Sequence, residues 1–198
     1  TVESLFTLES GAAGFLKNRG EFLRSVAIME RLLREYPPEP YVAAAHYALA
    51  QQVSEKASQA ADDTKFRQAH VRREDLVAQA GRMLERFLTL YPDDPSADQG
   101  AFSAAHALLE QKQYAEAAAA CERYARRYPK SDLLDSFWYI IGYSRFAAGQ
   151  PEPARAVLRR VVDAKVRHPG LRLANPCRWR CRRRHWRAPS STWAARSA

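Results

Sequence analysis

The sequence predicts an all-α solenoid of antiparallel helix pairs. Three observations carry that reading. Tyr-Pro pairs recur at Tyr36-Pro37, Tyr91-Pro92 and Tyr128-Pro129, the last two 37 residues apart, and periods in this range mark stacked supersecondary units. Apolar residues between the pairs recur every three or four positions, the period of one helix face. The stretch between the second and third pairs holds a whole unit: a Ser96-x-x-Gln99 capping signal, an Ala-rich run to Leu109, a polar break from Glu110 to Gln113, and a second run from Tyr114 to Tyr128.

The elements follow in order. Residues 5 to 16 form a first helix with Leu5, Leu8, Ala12, Phe15 and Leu16 on its core face. Asn18-Arg19-Gly20 turns the chain, and Phe22, Leu23, Val26, Met29, Leu32 and Leu33 stripe a second helix that stops at Tyr36-Pro37-Pro38, because proline cannot continue a helix interior. A third helix starts after Pro40 with Val42, Ala45, Leu49 and Val53 on one side and runs toward Ala61. Asp62-Asp63-Thr64 supplies a turn and cap. No breaker follows before Leu90, so the fourth helix is expected to run unbroken for about 40 Å. Helices three and four are expected to form a long hairpin projecting past the rest, whose distal half, with Ala57, Ala60, Phe66 and Ala69, is thinly apolar and expected to be mobile. Helices five and six are the unit already described. Helix seven follows a Ser131-Asp132 cap with Leu133, Phe137, Trp138, Ile140, Ile141 and Phe146, and ends at Gly149; Pro151 and Pro153 open helix eight, striped by Ala154, Val157, Leu158, Val161 and Val162.

These units resemble the tetratricopeptide repeat. The last one matches its pattern through Trp138-x2-Ile141-Gly142 and Ala154-x3-Leu158; the third keeps Leu108, Ala117-x3-Cys121, Tyr124 and Pro129; the first keeps Ser25-x3-Met29, Leu32 and Pro37. The second has His46, Leu49 and Ala50, then reaches Ala80-x3-Leu84, Phe87 and Pro92 after an insertion of about 18 residues relative to a standard unit. The resemblance implies a right-handed superhelical solenoid of four units, about 5–38, 41–92, 96–130 and 132–166, followed by an irregular tail over 167–198. The Tyr-Pro-Asp-Asp-Pro and Tyr-Pro-Lys-Ser-Asp junctions resemble those of bacterial envelope proteins of this type, which points to the periplasm or envelope.

The resemblance also implies a function, a non-enzymatic scaffold holding a partner peptide or helix in a concave groove lined by the first helix of each unit. It places Lys17 and Asn18, then Tyr47 and Gln51, then Gln99, Phe102, His106 and Glu110, then Tyr139, Tyr143 and Phe146 along that groove. Tyr47, Phe102 and Tyr139 share one position in successive units. They either capture a peptide with rings and polar tips or pack on neighbouring helices. Catalysis finds no support: His46, His70 and His106 are read on different helices without a phased carboxylate or thiol, and no phosphate loop or HExxH is present. Cys121 sits at a small core position. No cofactor or metal is implied.

Charge separates body from tail. Residues 1 to 166 hold 22 basic and 22 acidic residues, while 167 to 198 hold nine Arg and no acid, which accounts for the whole formal charge of +9. The tail carries Trp179, Trp186 and Trp193 among its arginines and Cys177-x3-Cys181-x3-His185, a zinc ligand set one short. Nucleic-acid or anionic-surface binding through this tail is the alternative function. A disordered tail, or GC-rich DNA read in a shifted frame, accounts for the same composition. The start at Thr1, without Met or a signal-like segment, suggests a processed or excised piece.

Overall fold

A computed structural model of the protein describes residues 1–60 and 63–167, with helical backbone alone over the last five. The tail that carries the alternative function lies outside these residues. Within them the chain is all helix and turn, arranged as the expected solenoid of antiparallel pairs. The pairs are α1 (Val2–Asn18) with α2 (Phe22–Glu35), α3 (Pro40–Gln59) with α5 (Arg73–Leu90), α6 (Ala97–Glu110) with α7 (Tyr114–Arg127), and α8 (Leu134–Ala147) with α9 (Pro151–Arg167); α4 (Thr64–Gln68) is a short helix between α3 and α5.

One device turns the chain inside every unit. A residue with positive φ stands just before the second helix: Gly20 at 77°, His70 at 53°, Lys112 at 60° and Gly149 at 77°. The next N–H then reaches back five residues, Glu21 to the Leu16 carbonyl at 2.9 Å, Val71 to Phe66 at 2.9 Å, Gln113 to Leu108 at 3.0 Å and Gln150 to Arg145 at 2.9 Å. This pattern satisfies helix-end carbonyls that would otherwise lack a donor. The Tyr-Pro pairs end the second helices, with the N–H of Tyr36, Tyr91 and Tyr128 bonded to Leu32, Phe87 and Tyr124. The tyrosines also make tertiary contacts: Tyr36 lies edge-on to Phe6 within the first unit at 5.1 Å, and the Tyr128 hydroxyl donates across units to the Pro92 carbonyl at 3.1 Å.

Two layers result. Along the first helices, Lys17 donates to Gln52 at 2.9 Å and Gln51 to Ser103 at 3.2 Å, linking α1 to α3 and α3 to α6. Along the second helices, Gln79 donates to Glu30 at 3.1 Å and Tyr124 to Glu85 at 2.7 Å. One continuous core lies between the layers, from Phe6 through Leu32, Val42, Phe87, Ala104 and Cys121 to Ile141. Burial pushes the Cys121 thiol up to about 12, so it stays protonated and packs as a small apolar group.

Three local expectations are corrected. The fourth helix is not continuous: it breaks after Gln68, and α5 starts at Arg73. His70 takes the left-handed turn, and the Asp75 carboxylate accepts the Arg72 backbone N–H at 3.0 Å, a cap that starts a new helix. The inserted segment therefore folds back instead of projecting. Asp63 caps α4 by accepting the Lys65 N–H at 2.9 Å, Phe66 is buried 6.0 Å from the Phe22 ring, and Lys65 Nζ donates to the Gly20 carbonyl at 3.0 Å. The Ser96 side chain does not cap α6; Asp94 Oδ1 accepts the Ser96 N–H at 2.8 Å, and Asp98 Oδ1 accepts the Gln99 N–H at 2.7 Å.

The third correction concerns α1. Phe6 and Ala13 are its buried residues, whereas Leu5, Leu8 and Phe15 are 57%, 74% and 61% exposed. At about 100° per residue, Phe6, Ala13 and Lys17 fall on one side and Leu5, Leu8, Ala12 and Phe15 on the opposite side. The larger stripe therefore faces away from the array.

Candidate functional site

The layer of first helices gathers the groove positions but splits them into two kinds. In the first half most of them are spent on internal contacts. Lys17 and Asn18 lie exposed at the end of α1, with Lys17 bonded to Gln52. Tyr47 is half-buried, its ring 5.5 Å from Phe87, and Gln51 donates to Ser103. Phe102 is likewise half-buried against the core, while Gln99 one turn earlier is exposed. For these two rings of the three-residue ladder, packing on neighbouring helices is the observed role.

His106 and Glu110 form the polar centre. The expectation of no phased carboxylate is corrected here, since His106 Nδ1 lies 3.7 Å from Glu110 Oε1 one turn on. Arg73 reaches the same carboxylate at 2.6 Å from the start of α5. Burial, reinforced by Arg73, outweighs the pull of Glu110 and holds the His106 pKa below its ordinary value. The ring is thus neutral near pH 7, and the carboxylate is held by a guanidinium. That is the arrangement of a positioned ion pair rather than of an acid–base dyad.

The second half is aromatic and open. Tyr139, Tyr143 and Phe146 are 55%, 40% and 65% exposed on α8. The Tyr139 and Tyr143 rings stack at 6.4 Å with 22° between their planes, and Tyr143 meets Tyr114 of α7 edge-on at 6.4 Å. They face outward because the other side of α8 is filled by Phe137, Ile140, Ile141, Gly142 and Ser144. Sequence reasoning missed Tyr114, which belongs to a second helix. Its place as the first residue after the intra-unit turn is the signal that it can reach the neighbouring first helix.

With this geometry in view, comparison with known proteins decides the family. The family model described as "YfiO: Outer membrane lipoprotein" matches residues 67–167, more than half of the chain. The chain belongs to the YfiO family. The matched span of this YfiO-family chain runs from α4 to the end of α9 and includes all the aromatic residues of the open half. No curated protein sequence matches it. Among solved structures, it is similar to Podosopora anserina kinesin light chain nearly identical TPR-like repeats. A variant of those repeats shows 16% identity and a TM-score of 0.42 over 84% of this chain and 97% of that one. A second structure shows 17% identity and a TM-score of 0.41 over 83% and 96%. Among the described residues, no helix is long and apolar enough to cross a membrane.

Proposed function

We propose that this YfiO-family protein is a non-enzymatic scaffold of the bacterial envelope that holds a partner protein along its first helices, with the open face of α8 as the anchoring end. The observation that carries this reading is the cluster of Tyr139, Tyr143 and Phe146. Large rings left on the surface at adjacent turns are unusual unless something covers them. Stacked tyrosines on an exposed face suit a peptide or helix, since each ring offers area at low entropic cost and a hydroxyl to fix register. The polar half from Lys17 to Glu110 then serves as the rim, where contacts set orientation more than affinity.

The test is a photo-crosslinking residue placed in turn at positions 139, 143 and 146, with positions 116 and 159, exposed on second helices, as controls. In cells of the source organism, the first three should yield one discrete protein adduct of common mass and the controls none. Adducts only at the controls, or the same adducts everywhere, would remove α8 as the anchoring face.

A further inference from the structure

A second site lies on the other layer, between the second helices of the first two units. There α2, α3 and α5 enclose a cleft of about 230 Å³, floored by Leu33 and Met83. Its rim carries Arg34 from α2 and Arg82 and Arg86 from α5, all exposed and none with an ion pair or hydrogen bond among the described residues. The one carboxylate on the rim, Glu30, accepts a hydrogen bond from Gln79 at 3.1 Å. His46 also lines the cleft; it is 2% exposed, and its buried Nδ1 has no hydrogen-bond partner among the described residues.

Stability alone does not account for this arrangement. Like charges one turn apart on a helix, as Arg82 and Arg86 are, repel, and a buried ring nitrogen without a partner costs free energy. The next junction along the same layer is built differently. There the Tyr124 hydroxyl donates to the Glu85 carboxylate at 2.7 Å, joining the two helices directly. We propose that the cleft binds a phosphate-class oxyanion, held by Arg34, Arg82 and Arg86 with the His46 ring at its base. Guanidinium groups match a phosphate in geometry and charge, and a dianion balances three arginines better than a single carboxylate does. Burial, with Arg86 nearby, lowers the His46 pKa to about 4, so the ring at the base is neutral at pH 7, carries one N–H donor and adds no charge to that of the arginines. The volume is below the roughly 300–1,000 Å³ of drug-sized pockets, which suits one phosphate group and not a nucleotide. The group could be free or the exposed phosphomonoester of a lipid headgroup.

Two arms test the site on the full chain. Inorganic phosphate is titrated while the His46 ring resonances are followed by NMR, with chloride at matched ionic strength as control. In parallel, co-sedimentation is compared for vesicles of phosphatidylcholine with and without phosphatidic acid. A saturable His46 shift, absent with chloride, identifies free phosphate; sedimentation specific to phosphatidic acid identifies a headgroup. In either case Arg86→Gln should weaken the response by about tenfold or more, and Arg159→Gln should not. No response in both arms, or equal behaviour of the two variants, overturns the proposal.

Discussion

Replacing Phe87 by Ala is expected to destabilise the protein by about 3–5 kcal/mol and to lower its melting temperature by on the order of 10 °C. Phe87 is fully buried at the point where α3, α5 and α6 meet. Its ring lies 6.2 Å from His46, 5.5 Å from Tyr47 and 5.7 Å from Tyr91, and a Cβ built on Gly100 would come within 3.1 Å of it. A residue so close to three helices cannot be replaced by their collapse, since each is fixed by its own turn and cap. Repeats contact only their neighbours, so the loss should stay local. Hydrogen exchange should accelerate in α3, α5 and α6 while α8 and α9 keep their protection. Equal acceleration throughout would show one cooperative block instead.

Gly142→Ala carries the second large effect, and here two forces oppose. Alanine favours a helix interior by up to about 1 kcal/mol over glycine. A Cβ at Gly142, however, would stand 2.5 Å from Leu158 Cγ and 2.6 Å from its Cδ2, and Cγ is not the free end of a side chain that can swing aside. Overpacking of this kind costs about 1–3 kcal/mol, so the net outcome should be destabilising, with a fall of several degrees in melting temperature. Leu158→Ala in the same chain should cost less in the Gly142→Ala background than alone, because the clash and the cavity offset each other. A rise in melting temperature for the single variant would mean that α8 and α9 are not as close as described.

Particular residues show what was legible in the sequence. The Tyr-Pro stops were legible because proline acts locally: the N–H it lacks and the ring it adds end a helix wherever it falls. Gly20 and Gly149 marked their turns for the same reason. His70 makes an equivalent turn without glycine, inside a run of good helix formers, so the break there was missed. On α1, Leu5, Leu8, Ala12 and Phe15 make a better stripe than Phe6 and Ala13, yet the smaller one is buried. Periodicity shows that a face exists, whereas burial depends on what stands opposite, here Tyr36 and Tyr41 around Phe6. The same limit governs the site. The family resemblance placed Tyr47, Phe102 and Tyr139 at one position, but Phe87 lies against Tyr47 and the core against Phe102, while Tyr139 keeps an open side. The cleft around His46 had no signal in the chain, because its arginines come from helices about 50 residues apart and acquire meaning only when the layers stack.

The central claim is that the open rings of α8 hold the partner. Affinity of the crosslinked partner for the purified chain, compared with that for Tyr139→Ala/Phe146→Ala, tests it most directly. Both side chains are mostly exposed, so the double variant should melt within a degree or two of the parent. Its affinity should fall by about tenfold or more, the loss expected when anchoring aromatics are removed. An unchanged affinity with an unchanged melt would contradict the account and place the binding face elsewhere on the solenoid.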